Sequence, residues 1–374
     1  MDSLKNQILN EIFSLYSFSL KQYVGYKVIS KGHINTTFVL YFDYGNKVKR
    51  FLLQEINTNV FKEPELLMKN INKVTSYALK TLKHKYKNYK NKTLRIYKSI
   101  DKQNYVTLKD NSCWRVYHYI ENSVSKDSVD NEEIIYQAGK VIGEFFNTFK
   151  RFKAKNLFEV IKDFHNTPKR YDDFIKSVNE SNLSFSCKEE INFFIDNKYI
   201  CSLITDLLKD NKIPVRVTHN DTKLNNLMFE YKSNKGICLV DLDTIMPGSI
   251  CYDYGDFIRS ACNSANEDEK DLSKVLFLKE RCLTFTKGFI GKVKNSITLC
   301  EINNLINGAI VMTYECGMRF LKDYLDHNIY FKTSYSNQNL IRAKTQICLC
   351  SQIIKNKEEL EKEILNIYYM EKAS

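Results

Sequence analysis

Glycine and proline are scarce in this chain of 374 residues, with 12 and 4 respectively. Aromatics are frequent, and 43% of the residues are apolar and 27% charged. That balance excludes a low-complexity or disordered chain and leaves one able to bury a sizeable core. None of the 11 cysteines forms a Cys-x-x-Cys, and no run of His and Cys has zinc-ligand spacing. Their odd number and scattered placing exclude a disulfide framework and point to free buried thiols in a reducing cytoplasm. Cys348 and Cys350 are close enough in sequence to alternate faces or to fill one helix. No apolar run approaches the length of a membrane span. The N-terminal MDSLKNQILNEIFSLYSF lacks a basic region followed by an apolar run and a cleavage site, and reads as a short amphipathic helix. The expected location is cytoplasmic, with no membrane partner. No repeat of fixed period is present.

The formal charge is +12. A basic surplus can serve nucleic acid, a membrane surface or anionic ligands. Here the excess is spread along the chain, which favours a lysine- and asparagine-rich coding bias. One stretch, LKTLKHKYKNYKNKTLRIYK at 79–98, interleaves lysine with tyrosine. Single-strand binders combine such features, but a helix end and a solvated loop before a strand explain them with less. No nucleic-acid partner is expected.

The length favours two domains. Residues 21–122 are β-rich: YKVISKGHINTTFVLYFDYG reads as two strands around a turn, KRFLLQEIN as a third, and LRIYKSI and CWRVYHYIE as two more. Between them, EPELLMKNINKVTSYALKTLKH has helical spacing with Pro64 near its first turn. From about residue 130 the spacing turns helical, notably in EEIIYQAGKVIGEFFNTFKRF and over 188–209 and 299–325. Only VRVTHN and ICLVDLD interrupt it as short strands. The boundary falls in YHYIENS, at 117–123, giving an N-terminal lobe of residues 1–119 and a mainly helical lobe of 120–374.

Two adjacent stretches of the second lobe carry chemistry: VTHNDTKLNNLMF at 217–229 and ICLVDLDTIMPG at 237–248. Phosphoryl transfer needs a carboxylate that orients the attacking hydroxyl and takes its proton, with groups to hold magnesium and offset phosphate charge. Magnesium takes oxygen ligands and keeps several waters, so one or two protein groups suffice. Asp221 is the candidate base. Lys223 can meet the transferring phosphate, and Asn226 and Asp241 offer oxygens to the metal. An Asp-x-Lys-x-x-Asn, then a Val-Asp after an apolar strand, matches the catalytic loop and metal aspartate of kinases. A polar turn with helix-capping Asp and Asn is the plainer account, but it does not explain the Asp-x-Asp that follows the strand.

Other kinase marks are missing. The metal aspartate lies in VDLD and not in Asp-Phe-Gly, there is no Ala-Pro-Glu, and the first-lobe loop SKGHINTTF is not a triple-glycine loop. The third strand carries Gln54 and Glu55 where protein kinases place a phosphate-holding lysine. In these respects the chain resembles the aminoglycoside phosphotransferase and choline kinase superfamily, which shares the kinase-like α+β, bilobal fold. HNDTKLNNLMF, VDLDTIMPGSICYDYGDFIRS, GHINTTF, ECGMRFLKDYLDHNIYFKT, LLQEINTNVFKEPELLMKNI and NLIRAKTQ are similar to the signatures of N-acetylhexosamine 1-kinases, over about residues 25–350.

The resemblance implies transfer of the ATP γ-phosphate to the anomeric hydroxyl of N-acetylglucosamine or N-acetylgalactosamine, with Mg2+ as cofactor. It makes Asp221 the proton acceptor and a sugar contact, and Asn226 and Asp241 the metal ligands. Gly32, His33, Ile34 and Asn35 become the loop over the phosphates. Gln54, where the related kinases also carry glutamine, counts among the nucleotide-binding residues, and the backbone at Tyr119 and Ile120 becomes the adenine hinge. Arg319 and Tyr330 line the sugar pocket, and Asp243 assists sugar or metal. Each also has a plainer role: Gly32 and Asn35 as turn residues, His219 as a backbone prop, Arg319 as a helical partner of Asp323, Tyr330 as core, Asp253 and Asp256 as supports. Glu55 departs from the basic residue common there. The rival functions are a kinase of an amino alcohol, homoserine or aminoglycoside, a catalytically silent kinase-like module, and the nucleic-acid binder already set aside.

Overall fold

The computed structural model describes residues 2–29, 35–129 and 131–373. The chain forms two compact units. One comprises residues 1–123 with two returning segments, 158–161 and 240–245, and the other holds the remainder.

The first unit opens with helix α1 (Asp2–Leu15), then strands β1 (Tyr23–Ile29), β2 (Thr37–Asp43) and β3 (Val48–Ile56). Helix α2 (Pro64–Lys83) follows, then β4 (Ile96–Tyr97), β5 (Val106–Thr107) and β6 (Cys113–His118). The strands make one antiparallel sheet in the order β1-β2-β3-β6-β4, with β5 on β6. Alternation along a strand sends side chains to opposite faces. Phe51, Leu53, Trp114 and Val116 pack with Ile12 and Phe13 of α1 in one apolar core. Gln54 and Arg115, one residue out of step, lie on the other face, and the register pairs Thr37 with Gln54 and Gln54 with Arg115. Proline begins α2, where its missing N–H is harmless. Buried Leu67, Met68, Ile71, Val74, Ala78 and Leu82 recur at helical spacing along it. Asn70 of α2 fastens both returning segments: its amide bonds the backbone N–H and C=O of Phe158 at 2.9 and 2.8 Å and the carbonyl of Ile245 at 3.0 Å.

The second unit is mainly helical. After β7 (Ser123–Ser125) come α3 (Glu132–Phe149), α4 (Thr167–Glu180), α5 (Lys188–Asp196) and α6 (Thr205–Lys209). The short strands are β8 (Arg216–Thr218), β9 (Leu227–Glu230), β10 (Gly236–Leu239) and β11 (Met246–Gly248). The chain ends with α7 (Ile250–Ala261), α8 (Lys279–Val293), α9 (Leu299–Ile302), α10 (Leu305–Leu325), α11 (Gln338–Lys355) and α12 (Lys357–Ala373). Ile142, Phe146, Phe194, Tyr254, Phe285, Phe289, Tyr314 and Leu349 belong to one continuous core. Helices α7 and α10 cross where neither carries a side chain: a Cβ on Gly255 would meet the Gly308 carbonyl oxygen at 2.3 Å, and one on Gly308 would meet that of Cys251 at 2.1 Å. β8 pairs with β11 and β9 with β10, both antiparallel.

Several expectations change in detail. LRIYKSI yields only the two-residue β4, and β5, β7, β9 and β11 were not anticipated. The spans 188–209 and 299–325 are each broken. Asn197 closes α5 by bonding the Phe193 carbonyl at 2.9 Å through its side chain, and Asn304 bonds that of Cys300 at 2.8 Å. The lysine–tyrosine stretch is the end of α2, a 3-10 turn at Tyr89–Asn91 and the approach to β4. All 11 cysteines are thiols, with Cys348 and Cys350 both on α11. Among the described residues no helix is long and apolar enough to cross a membrane.

Candidate functional site

The loop between β8 and β9 is suspended from α7. Asp253, in the first turn of α7, accepts the backbone N–H of His219 on one oxygen and that of Asn220 on the other, both at 2.7 Å. Its own carbonyl takes the Thr222 hydroxyl at 2.6 Å. Asp256, one turn on, accepts the Thr222 N–H at 2.8 Å. Asn220 has φ 63°, a left-handed value that asparagine tolerates, and it reverses the chain after the strand. His219 is fully buried and its Nδ1 accepts the Asp221 N–H at 3.3 Å, which leaves the ring proton on Nε2. It is a prop for the loop, as the plainer reading had it.

This scaffold fixes the three polar residues of the loop against one another. One Asp221 oxygen is 2.9 Å from the Lys223 ammonium. The other accepts the Asn226 amide at 2.9 Å, and the same amide bonds the Asp221 carbonyl at 2.8 Å. The Asp221 charge, helped by Asp256, outweighs burial and raises the Lys223 pKa, so the ammonium persists at any working pH. The Asn226 nitrogen is spent on Asp221. Its carbonyl oxygen is therefore the atom left to meet a cation, the end of the amide that a hard metal needs.

The two supporting aspartates are shifted in opposite directions. Burial pushes Asp253 up to about 8, against the pull of its two backbone N–H bonds. Asp256 is equally buried, but Arg259 at 2.8 Å and the nearby Lys223 outweigh that burial and hold its pKa below the usual value. Arg259 in turn meets Glu267 at 3.1 Å.

In the first unit, Arg115 organises a buried polar row that the sequence reading missed. Its guanidinium lies 2.6 and 2.8 Å from the two oxygens of Asp243 and bonds the Gln54 carbonyl oxygen at 2.6 and 3.0 Å. Gln54 then donates to Thr37 at 3.0 Å. Asn35 donates to Asp243 at 2.7 Å and accepts the Asn57 N–H at 3.0 Å. Burial opposes the Arg115 charge, but Asp243, Tyr117 and Asp241 outweigh it and raise its pKa. Thus Gln54, neutral where a phosphate-holding lysine was sought, has a cation bound to it from the neighbouring strand. Asp243, expected to assist sugar or metal, has its carboxylate on Arg115 and Asn35. The signal was present in CWRVYH: a charged residue amid buried apolar neighbours needs a partner. Asp241 follows β10, is exposed, and has φ 57°, a strained value for aspartate.

Of the expected nucleotide residues, Gly32, His33 and Ile34 lie outside the described residues. The Tyr119 ring stacks under Arg50, 4.2 Å from ring centre to guanidinium carbon, and Arg50 pairs with Glu121. Ile120 is buried, and its carbonyl accepts the Ser123 hydroxyl at 2.6 Å.

Arg319 and Tyr330 do come together, in a cavity of about 260 Å³ also lined by Arg170, Asp173, Asp323 and Phe331. The Arg319 guanidinium lies 5.5–5.7 Å from the ring centres of Phe164, Tyr330 and Phe331. It does not pair with Asp323, whose oxygens accept the backbone N–H of Tyr330 and Phe331 at 2.7 and 2.9 Å and the Asn339 amide at 2.8 Å. Tyr330 is 62% exposed, so it is not core.

Comparison with known proteins bears on this arrangement. Residues 97–272 match the sequence profile of the phosphotransferase enzyme family APH. The fold is shared with a choline kinase from Cryptosporidium parvum (12% identity, 96% of this chain and 98% of that one, TM-score 0.60). It is shared also with an ethanolamine kinase from Plasmodium vivax (15% identity, 90% and 83%, TM-score 0.54). A third is a spectinomycin phosphotransferase solved with ADP and spectinomycin (13% identity, 94% and 98%, TM-score 0.56). The profile match spans 176 of the 374 residues, and what the solved structures share with the chain is the fold.

Proposed function

We propose that the chain is an ATP-dependent kinase of a small hydroxylated acceptor, and that the acceptor is an N-acetylhexosamine phosphorylated at its anomeric hydroxyl. The observation that carries the reading is the Asp221–Lys223–Asn226 cluster held rigidly on the Asp253 and Asp256 carboxylates. Positioning of this kind is most of what phosphoryl transfer asks of a protein.

In the proposed reaction the acceptor oxygen attacks the γ-phosphorus. The new P–O bond forms as the bond to the β-phosphate oxygen breaks, ADP leaves with that electron pair, and the acceptor proton passes to Asp221. Lys223 keeps Asp221 oriented and offsets charge developing on the transferring group. ATP use implies a divalent ion, with magnesium the choice that suits an all-oxygen donor set. Asn226, through its carbonyl oxygen, and Asp241, through its exposed carboxylate, are the groups proposed to hold it. Bound magnesium would neutralise phosphate charge.

The acceptor assignment rests on the resemblance and on Arg319 and Tyr330 sharing one cavity. A quaternary or primary ammonium acceptor calls for aromatic or acidic walls. Here the rings face a guanidinium already in place, which suits an amide-bearing sugar better.

The test is coupled ADP release with magnesium-ATP, and phosphorus NMR of any product. The acceptors are N-acetylglucosamine, N-acetylgalactosamine, galactose, choline, ethanolamine, homoserine and kanamycin. An anomeric phosphate formed only from the acetamido sugars is the expected result. Turnover of choline or ethanolamine alone would move the chain to the amino-alcohol kinases. Magnesium-ATP binding without turnover would make it a silent module.

A further inference from the structure

NLIRAKTQ at 339–346 has no part in the reading so far. It falls in the first half of α11 and ends on Gln346. Gln346 lines a second cavity, of about 230 Å³, with Lys223, Asn225, Arg259, Asn263 and Glu267. Lys223 is 2.9 Å from Asp221, so this cavity borders the proposed proton acceptor, whereas no residue of that loop lines the cavity of Arg319 and Tyr330. The charges on its wall answer one another. Lys223 is held by Asp221, and Arg259 by Asp256 at 2.8 Å and Glu267 at 3.1 Å. Asp127, the remaining acid of the wall, is exposed. Gln346 is different. It is 2% exposed, and its buried Oε1 has no hydrogen-bond partner among the described residues. Arg342, one turn back, has an unpartnered Nε that does not reach it, and gives Nη1 to the Lys332 carbonyl and the Asn339 oxygen at 3.2 and 2.9 Å. Gln346 sits against bare backbone of α10, where a Cβ on Gly317 would come 2.9 Å from its own Cβ. Arg319, two residues beyond Gly317, lines the other cavity, so the two flank one turn of α10. A buried amide oxygen without a partner is costly and uncommon.

We propose that this cavity seats the acceptor ring and that the Gln346 amide is its specificity-determining contact, taking two neighbouring hydroxyls. A primary amide sets a carbonyl oxygen beside an N–H, an acceptor next to a donor. Neighbouring hydroxyls, one donating and one accepting, match that fork. An ammonium group offers no acceptor, and a lone hydroxyl uses one arm only. An N-acetylhexosamine that reacts at its anomeric hydroxyl carries nitrogen on the next carbon, so its remaining neighbouring ring hydroxyls are those at C3 and C4. The inference rests on the proposed kinase reading and adds which part of the acceptor is read. A site built to bond a hydroxyl rejects the analogue lacking it, because its own polar group is then stranded.

N-acetylglucosamine and its 3-deoxy and 4-deoxy analogues decide it, each assayed with magnesium-ATP and each titrated calorimetrically. In the wild type each deoxy sugar should show kcat/KM at least about tenfold below the parent. Gln346→Met should lower kcat/KM for the parent at least about tenfold, chiefly through KM, and for the deoxy sugars by a factor at least about threefold smaller, since part of what the variant removes is already unused. The variant also loses an unpaired buried carbonyl, so without sugar it should melt no lower than wild type. Deoxy sugars used as well as the parent, or a Gln346→Met loss equal for all three, would overturn the inference and leave the kinase reading intact. A lower melting temperature for Gln346→Met would overturn it too, by showing that the amide has a partner within the protein. If no sugar is turned over, the kinase reading falls and calorimetry decides the seat alone. The parent should then bind more tightly than either deoxy sugar and lose that advantage in Gln346→Met, and binding that is absent, or equal for the three, would overturn the inference.

Discussion

Removing Arg115 should damage the first unit more than any exposed change could. The Arg115 and Asp243 side chains are 1% and 4% exposed and meet at 2.6 Å. Arg115→Met takes away both guanidinium contacts to Asp243 and leaves the carboxylate buried with only Asn35 to answer it. It also strips the Gln54 carbonyl of its two donors. Breaking one side of a buried pair costs about 3–5 kcal/mol. At roughly 2–4 °C per kcal/mol, the melting temperature should fall by about 6–20 °C. Asp243→Asn should cost a similar amount, because it strands the arginine. The double variant should recover at least about 1 kcal/mol relative to the sum of the singles, since neither charge is then left alone. Urea unfolding followed by far-UV circular dichroism measures all four corners of the cycle. Additive effects, or single losses under about 1 kcal/mol, would refute the view that this pair holds the row together.

Asp221→Asn should lower kcat by at least about a hundredfold, with ADP affinity by calorimetry little changed, because the proposed proton acceptor is lost and the loop scaffold is not. Asp253 has its pKa raised from 3.8 to about 8, so the folded chain holds a proton there that the unfolded chain releases near pH 4. Its contribution is therefore full below about pH 4 and is lost as pH rises through about 8. The stability of wild type relative to Asp253→Asn should fall across that window by up to about 1.4 kcal/mol per pH unit, measured by urea titration. Gly308→Ala sets a Cβ 2.1 Å from the Cys251 carbonyl oxygen and must push α7 off α10. A loss of about 1–3 kcal/mol is expected, with a drop in kcat larger than a remote core change would give.

The sequence made the chemistry-bearing loop legible because that loop is local. Asp221, Lys223 and Asn226 lie within six positions, so their spacing alone predicts a cluster, and the structure brings the three into direct contact. What stayed hidden is whatever depends on distant pairing. Asp243 looked free for sugar or metal because its partner Arg115, 128 residues away, could not be seen from the sequence. Asp253 and Asp256 read as supports, but which N–H groups they support depends on α7 beginning at the loop. The β-rich first part and the helical second part followed from periodicity, while the breaks at Asn197 and Asn304 did not. Apolar spacing reports a buried face and is blind to a side-chain amide that ends one helix and lets another continue that face. β9 and β11 were missed for a related reason: at 4 and 3 residues they are too short for alternation to register.

The glycine crossing explains why so few residues suffice to hold the loop. Asp253 and Asp256 lie two residues before and one residue after Gly255, one of the points at which α7 closely approaches α10. Their side chains accept the backbone N–H groups of His219, Asn220 and Thr222. Helix α10 also carries Glu315, which is fully buried, accepts the Thr167 hydroxyl at 2.6 Å and lies 2.8 Å from Nδ1 of His165. Arg319, one turn on, lines the cavity it shares with Tyr330. The same helix therefore backs α7, which carries the Asp221 loop, and presents the arginine proposed to read the acceptor. A side chain at position 308 would separate the two functions by moving one helix against the other, so the absence of a methyl group there is as much a part of the site as the carboxylates are.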